Sequence, residues 1–213
     1  MDNRRCEIGA VAEHLLGRRA MTLLILSGLL GCSLFEPREP ERPTQSGSNS
    51  QPAYRAETVI SNLQNAIASK SIDNYLACFS DPSRSQRGFV FVPSGPGLAQ
   101  YSSQLSSWDR DKEQEYMSNL ISHTASNAFS SLLLVPRSFA VTTDTVVYNY
   151  SYTFTFQHDG QVISDSTARG ELQVSLGADN TGTWTIYRWV DYPLTPTTPI
   201  TTWSSFKGGF STH

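Results

Sequence analysis

Cysteine and positive charge are both scarce in this 213-residue chain. It has three cysteines, and charged residues amount to 16%, with a formal net charge of −3. No cluster of lysine and arginine follows residue 50, so the electrostatic footprint of a nucleic-acid-binding protein is missing and we expect no nucleic-acid partner. Long apolar runs are missing as well: the segment 20–31 has twelve residues, whereas a membrane-spanning helix needs about 20.

Motifs that carry chemistry are equally rare. The chain has no glycine-rich phosphate loop, no Gly-x-Ser-x-Gly and no His, Cys or Asp cluster with metal-ligand spacing. Its last three histidines fall at the end of a predicted helix, in a predicted turn and at the final residue: His123, His158 and His213. A general acid–base pair needs two groups within reach of one substrate, and no such pair is evident. We therefore predict no catalytic residues, no metal and no cofactor.

The N-terminus has the pattern of an export signal. Four arginines precede the apolar segment 20–31, which ends in Leu-Leu-Gly before Cys32. A positive start followed by a short apolar region is typical of a signal peptide. The Leu-Leu-Gly-Cys ending resembles the lipobox of bacterial lipoproteins, whose cysteine becomes the lipid-modified mature N-terminus. The resemblance implies a signal peptide at 1–31 and a palmitate-bearing Cys32; an ordinary signal peptide or an incidental cysteine is the alternative.

The residues after Cys32 indicate the membrane to which the protein is sorted and a flexible tether. Ser33, rather than aspartate, follows the cysteine, and by resemblance to lipoprotein sorting this favours the outer over the inner membrane of a cell with two membranes. The segment 33–52 is rich in proline, charge and serine, so residues 32–53 are predicted to be a disordered tether. We expect a domain held near a membrane of the cell envelope by the lipid on Cys32.

Removal of the signal leaves one unmodified cysteine, Cys78. It has no partner for a disulfide within the processed domain. Its neighbours include Tyr75, Leu76 and Phe79, which favours a buried thiol that packs as a small apolar side chain.

Three helices are predicted before the main strands. Apolar residues recur at helical spacing over 55–69, and Ser71 is a candidate N-cap for a short second helix. Ser107 is a candidate cap for a third helix. Short strands are predicted at 88–92 and 129–135 from their apolar, β-branched and aromatic residues.

A strand of alternating aromatic residues follows at 147–156. Every even-numbered residue from Tyr148 to Phe156 is aromatic, and the odd-numbered ones between them are small and polar. Because successive side chains of a strand point to opposite faces, five rings line one face. An Asp-Gly pair at 159–160 predicts a tight hairpin, and a last strand at 183–191 completes a meander. Helices before a meander indicate an α+β fold with helices on one face of the sheet.

The order of elements over 54–192 resembles the NTF2-like, or SnoaL-like, superfamily. The opening helix has an alanine near its end, a Lys70-Ser71 turn follows, and Tyr75 and Phe79 lie on the short helix after it. The resemblance implies N-terminal helices packed on a strongly curved antiparallel sheet, a cone whose inner wall is the aromatic strand. NTF2-like enzymes such as ketosteroid isomerases and scytalone dehydratases hold an Asp or His and a Tyr donor inside the cone.

A pocket inside the cone is predicted to be lined by six residues: Tyr148, Tyr150, Tyr152, Phe154, Trp184 and Arg188. The tyrosines either donate hydrogen bonds there or are core rings. Arg188 either pairs with Glu171 across the sheet or receives an acidic ligand. The carboxylates that approach the interior each have a simple local explanation: Asp73, Asp144, Glu171 and Asp191.

The C-terminal tail, 193–213, departs from the pattern of the superfamily. Its Trp203 and Phe206 are costly to leave in water, at about 1.5–3 kcal/mol for a fully buried large apolar side chain. We predict that the tail packs back on the domain and plugs an edge of the sheet or the mouth of the cone. A partner-binding tail is the alternative.

Three functions stay open at the level of sequence. The favoured one is a non-catalytic module of a lipid-anchored envelope protein that binds a small apolar or amphipathic ligand or an envelope protein. The second is an isomerase or dehydratase of the NTF2-like kind, using Tyr and Asp. The third is a structural lipoprotein with a fully packed cone. The oligomeric state is also open, with a dimer through the sheet as one option.

Overall fold

Six helices and five strands form over the residues that the computed structural model describes, 50–194 and 200–211. The helices are α1 (Ala56–Ser69), α2 (Ile72–Leu76), α3 (Gly95–Gln100), α4 (Ser102–Leu105), α5 (Arg110–Ser122) and α6 (Trp203–Phe210). The strands are β1 (Val90–Val92), β2 (Ser130–Val141), β3 (Thr145–Phe156), β4 (Thr167–Ala178) and β5 (Trp184–Tyr192). The predicted signal peptide, the lipidation of Cys32 and most of the predicted tether lie outside the described residues.

Helix α1 forms where the apolar spacing predicts it, and it buries one stripe that includes Leu63 and Ile67. It ends at Lys70, which adopts the left-handed conformation with φ of 53° common at helix C-termini. The Ser71 hydroxyl then accepts a hydrogen bond from the backbone N–H of Asn74 at 3.4 Å. The predicted N-cap of α2 is confirmed.

The five strands form one curved sheet in the order β1-β5-β4-β3-β2. The long strands β2, β3, β4 and β5 pair antiparallel in sequence order, as a meander requires. Strand β1 instead runs parallel to β5, so the sheet is mixed rather than purely antiparallel. A parallel pair needs a long crossover connection, which the elements between β1 and β5 provide.

Strand β3 keeps the predicted alternation of faces. Its aromatic residues from Tyr150 to Phe156 are buried, and the polar residues between them are only half-buried. On the neighbouring strand β4, Leu172 lies opposite Tyr150 and Val174 lies opposite Tyr148, and both aliphatic residues are buried. The predicted core face of the aromatic strand is confirmed from Tyr150 onward.

The third predicted helix corresponds to α5, and it begins later than predicted. Asp109, not Ser107, is its N-cap: the Asp109 carboxylate accepts hydrogen bonds from the backbone N–H groups of Asp111 and Lys112 at 3.1 and 3.0 Å. A carboxylate also suits the positive end of the helix dipole better than a hydroxyl does. Two short helices, α3 and α4, occupy the segment 95–105, for which the sequence analysis predicts no helix.

The predicted tight hairpin at 159–160 is wrong. Strands β3 and β4 are joined by the longer segment 157–166, although Gly160 does adopt a φ of 75° within it. The cause is tertiary packing, because Val162 and Ile163 in this segment pack against the hydrophobic core. Local turn chemistry holds at Gly160, but the connection is longer than a tight hairpin and includes these side chains.

Helix α1 packs on β2 and β5, and α2 packs between α1 and α5. The fold is therefore α+β, with N-terminal helices packed on one face of a curved sheet, and the predicted fold class is confirmed. The space between the helices and the aromatic face of the sheet is the interior of the domain.

Candidate functional site

Helix α6 occupies the interior. Its large side chains are fully buried: Trp203, Phe206, Lys207 and Phe210. Trp203 stacks on Phe154 of β3, with ring centroids 4.3 Å apart and an interplanar angle of 14°. Phe206 meets the same Phe154 ring edge-on at 5.3 Å. The part of the aromatic wall that Tyr152 and Phe154 form is thus covered by helix α6.

Small residues permit the close approach of α6. A Cβ atom on Gly208 would lie 2.4 Å from the Tyr101 ring, and one on Gly97 would lie 2.4 Å from the Ser204 Cβ. Glycine costs about 1 kcal/mol relative to alanine in a helix, and α6 has two of them in sequence. Its buried contacts, rather than its intrinsic helical propensity, therefore hold α6 in place.

A buried ion pair lies at the centre of the interior. The Lys207 ammonium donates a hydrogen bond to Glu113 Oε1, and both side chains are 0% exposed. Glu113 also accepts hydrogen bonds from the Tyr75 hydroxyl and, at 2.6 Å, from Trp108 Nε1. A buried ion pair is tolerated when hydrogen bonds satisfy both partners. Three donors meet that condition for the Glu113 carboxylate.

Aromatic rings surround the Lys207 ammonium. Its Nζ lies 4.5–5.3 Å from the centroids of four rings: Phe91, Tyr116, Trp108 and Trp189. Burial lowers the pKa of Lys207, and the charge of Glu113 opposes that shift. Ring faces attract a cation within about 6 Å, so the four rings also favour the charged ammonium.

A second buried carboxylate, Asp191, binds the beginning of α6. Its Oδ2 accepts hydrogen bonds from the backbone N–H and the hydroxyl of Ser204, at 2.9 and 2.5 Å. Its Oδ1 accepts from the Tyr152 hydroxyl at 2.8 Å, and that hydroxyl accepts from the Trp203 backbone N–H at 2.8 Å. Burial raises the pKa of Asp191, and the hydrogen bonds from Ser204 oppose the rise. Asp191, which lies on β5, thereby caps the N-terminal end of helix α6.

Both interior carboxylates are engaged by donors of the protein itself. A general base needs a lone pair within hydrogen-bond reach of a substrate proton. Glu113 and Asp191 each accept three hydrogen bonds from protein groups. Burial raises the pKa of Tyr75, Tyr116 and Tyr152 well above the usual value, which keeps these phenols neutral. In this arrangement the interior polar groups stabilise α6.

Strand β5 changes faces at a β-bulge. Its register with β4 shifts between Ile186 and Arg188, which leaves Tyr187 as an extra residue. An extra residue reverses the alternation of side chains beyond it. Arg188 therefore lies on the outer face, where its Nη1 donates to Gln173 Oε1 at 3.3 Å. The prediction that Arg188 faces the interior is wrong.

The same bulge directs Trp189 and Asp191 inward. Trp189 is 0% exposed and Asp191 is 1% exposed. In the sequence, Asp191 is one of four carboxylates that approach the interior, and its position at the end of a strand is a sufficient local explanation for it. Glu171 is a predicted partner of Arg188, but its Oε1 lies 3.6 Å from Nη2 of Arg137 instead.

The aromatic members of the predicted pocket divide between two places. Tyr152 and Phe154 are buried against α6. Tyr150 is 9% exposed and packs beside Tyr148, with ring centroids 5.7 Å apart. Tyr148 and Trp184 instead lie at a surface groove, at the other end of the sheet.

This surface cavity, the β2–β3 groove, has a volume of about 500 Å³. It lies between the beginning of α1, the end of β2 and the beginning of β3, and its lining includes Tyr54, Glu57, Phe139, Val141, Tyr148 and Trp184. Phe139 is 70% exposed and Tyr54 is 69% exposed. The Tyr148 hydroxyl donates to Glu57 Oε1 at 2.8 Å at the polar side of the groove. Arg55 also lines the groove, with its Nε 3.6 Å from Glu57 Oε2. Exposed rings, one carboxylate and one guanidinium thus share a concave surface.

Glu113 and Lys207 are interior residues that the sequence analysis missed. Glu113 precedes Tyr116 and Leu120 on α5 by three and seven residues, the spacing of one buried helical stripe. That periodicity was the signal that could have placed Glu113 inside. Lys207 has no comparable signal, because a single lysine beside Gly208 and Gly209 is typical of an exposed tail.

Within residues 50–194 and 200–211, no three metal-binding side chains come together. In the same ranges, no helix has the length and hydropathy needed to cross a bilayer. Cys78 is buried, and burial raises the pKa of its thiol to about 12. The predicted role of Cys78 as a small packed side chain is confirmed.

No protein-family model matches the chain, and no curated protein matches it either. Solved structures with a similar backbone include a candidate aromatic ring hydroxylase from Novosphingobium aromaticivorans, 18% identical, with a TM-score of 0.49 over 70% of this chain and 92% of that one. An NTF2-like superfamily protein from Salmonella enterica serovar Typhimurium is 12% identical, with a TM-score of 0.48 over 66% and 89%. A candidate dehydratase of the NTF2-like family from Streptomyces avermitilis is 10% identical, with a TM-score of 0.48 over 66% and 94%. At these identities no residue role passes from those proteins to this chain.

Proposed function

We propose that this chain is a lipid-anchored lipoprotein of the cell envelope whose NTF2-like domain is a non-catalytic binding module, with the β2–β3 groove as its ligand site. The observation that carries the proposal is the contrast between a filled interior and an open groove. Helix α6 covers part of the aromatic wall and engages Glu113 and Asp191. The groove leaves Tyr54 and Phe139 largely exposed.

The groove suits a small apolar or amphipathic ligand. Its volume of about 500 Å³ lies within the range of small-molecule sites, about 300–1,000 Å³. Phe139, Val141 and Tyr54 offer apolar surface, while Glu57 and the Tyr148 hydroxyl offer a polar end. Exposed rings gathered in one concave patch are costly in water, and a ligand would recover part of that cost.

The proposed anchor would keep this groove close to a membrane. The tether of about 20 residues reaches at most about 65 Å when fully extended. The groove begins at Tyr54, directly after the predicted tether. A ligand that partitions into lipid would therefore be concentrated near the groove. Two matched experiments test the ligand site and the anchor separately.

The ligand site is tested by gentle purification of the full chain from membranes and mass spectrometry of retained small molecules. Phe139→Ser should lose the ligand, because Phe139 lines the groove. Leu133→Ser is the control, since Leu133 is 59% exposed on the same strand but lies outside the groove lining. Equal retention in both variants, or retention of a protein partner alone, would contradict the groove as a small-ligand site.

The anchor is tested by metabolic labelling with palmitate. Cys32→Ala should abolish labelling and release the protein from the membrane fraction. Cys78→Ala should leave labelling unchanged, because the Cys78 thiol is buried and unreactive. Persistent labelling of Cys32→Ala would exclude the lipoprotein assignment without affecting the groove.

A further inference from the structure

The walls around the Lys207 ammonium form a complete recognition site. The Phe91 and Tyr116 rings approach Nζ to 4.5 and 5.0 Å, and Trp108 and Trp189 approach it to 5.1 and 5.3 Å. Ring faces attract ammonium groups at these distances, and the attraction grows when water is excluded. All four rings are buried, so bulk solvent does not reach them.

One fixed carboxylate completes this aromatic cage. Glu113 accepts from Lys207, but it is also held by the Tyr75 hydroxyl and by Trp108 Nε1 at 2.6 Å. Those two donors orient the carboxylate independently of the lysine. A negative charge fixed among ring faces is complementary to a cation that carries N–H donors.

The cage residues belong to the body of the domain, and α6 contributes the occupant. Helix α6 also supports two of the walls: Trp203 meets the Trp189 ring at 4.5 Å between centroids, and its Nε1 donates to the Tyr116 hydroxyl at 3.1 Å. Phe91 lies on β1, Tyr116 lies on α5 with Glu113, and Trp189 lies on β5. The rings also hold one another: Phe91 lies 5.9 Å from Trp108, centroid to centroid, and 6.4 Å from Trp189. The walls are therefore built by residues that precede the C-terminal tail.

We propose that Phe91, Trp108, Tyr116, Trp189 and Glu113 form a binding site for a primary alkylammonium group, and that Lys207 is its tethered occupant in the closed chain. The side chain of Lys207 beyond Cβ is chemically a propylammonium ion. A neutral group of the same shape would leave the Glu113 charge buried without a cation, which is strongly unfavourable. The site therefore selects an ammonium over an alcohol or an alkane.

The test uses the full processed chain with Lys207→Ala, which removes the propylammonium part of the occupant and keeps the rest of α6. Addition of n-propylammonium chloride should raise the melting temperature in a saturable way, by about 4 °C or more. Sodium chloride at equal ionic strength and 1-propanol at equal concentration should not. An equal effect of propylammonium and 1-propanol, or no effect of either, would overturn the proposal.

A second variant covers the case in which Lys207→Ala does not fold. Lys207→Met keeps the length of the aliphatic stem and leaves space only at the Nζ position, so ammonium ion is the matched probe. Ammonium chloride should stabilise Lys207→Met more than sodium chloride does, whereas wild-type protein should show no difference. The Lys207→Ala, Glu113→Gln double variant should lose the response to propylammonium. A folded Lys207→Met that ignores ammonium, or a response that survives Glu113→Gln, contradicts the assigned site.

Discussion

The two ends of strand β3 carry the same aromatic alternation but have different surroundings. At the C-terminal end, Phe154 and Phe156 are 0% exposed, and Phe154 is stacked on Trp203 of α6. At the N-terminal end, Tyr148 is only half-buried and lies beside the exposed Phe139, with ring centroids 6.4 Å apart. The alternation decides which face is apolar, and a distant segment decides which part of that face is covered.

The largest effect is expected at the covered end. Trp203→Ala should lower the free energy of unfolding by up to about 5 kcal/mol, because it removes a fully buried ring and its stacking on Phe154. Trp184→Ala, at the half-buried groove, is the matched control and should cost much less. Urea unfolding of both variants measures the difference. Similar losses in the two variants would show that α6 is no more important to the core than the groove.

The buried ion pair should give the next largest effect. Lys207→Met should destabilise the fold by about 3 kcal/mol, because it leaves the Glu113 carboxylate buried without a cation. Combining Lys207→Met with Glu113→Gln removes that charge and should restore a large part of the loss. A double-mutant cycle by denaturant unfolding gives the coupling. Strictly additive losses would mean that the two groups do not interact.

A smaller contrast is expected between neighbouring tyrosines of β3. Tyr150→Ser should cost about 2–4 kcal/mol, because the Tyr150 ring is 9% exposed and belongs to the core. Tyr148→Ser should cost less, since Tyr148 is half-buried at the groove. Melting temperatures of the two variants rank them. An unchanged melting temperature for Tyr150→Ser would place its ring in an open site.

The smallest expected effect is a change in the pKa of Glu57, the carboxyl group at the groove. A hydrogen bond from the Glu57 backbone N–H lowers the pKa of the Glu57 carboxyl, and the Tyr148 hydroxyl lowers it further. A carboxyl with a lowered pKa contributes stability above its unfolded pKa, and the contribution is lost as pH falls through the folded pKa. Tyr148→Phe should therefore raise the pKa of Glu57 toward its usual value, as measured by NMR titration. Tyr150→Phe is the control and should leave the Glu57 titration in place.

Periodicity was sufficient to predict the main elements of the fold. The helix at Ala56–Ser69, the N-cap at Ser71 and the buried face of β3 all follow from local spacing. The parallel pairing of β1 with β5 has no local signature, because it joins segments that are far apart in the chain. Likewise, the packing of Ile163 against the core has no local signature, and it accompanies a connection between β3 and β4 that is longer than the Asp-Gly pair predicts.

The interior chemistry was much less predictable. One extra residue, Tyr187, moved Arg188 outward and Asp191 inward, and a bulge leaves no clear mark in an alternating sequence. Glu113 could have been placed on the buried stripe of α5, but charge in the first turn of a helix already had a sufficient local explanation. Lys207 is an interior residue only because α6 packs into the interior and places the Lys207 ammonium among the four rings.

The central claim is that α6 closes the interior and leaves the groove as the open site. Hydrogen exchange of the backbone amides in Trp203–Phe210 tests it most directly. We expect these amides to exchange as slowly as those of β3 and β4, through global unfolding alone, because α6 is buried and its first N–H groups bind Tyr152 and Asp191. Exchange of α6 that is orders of magnitude faster than that of β3 would show that the interior opens in the folded protein, and would contradict the claim.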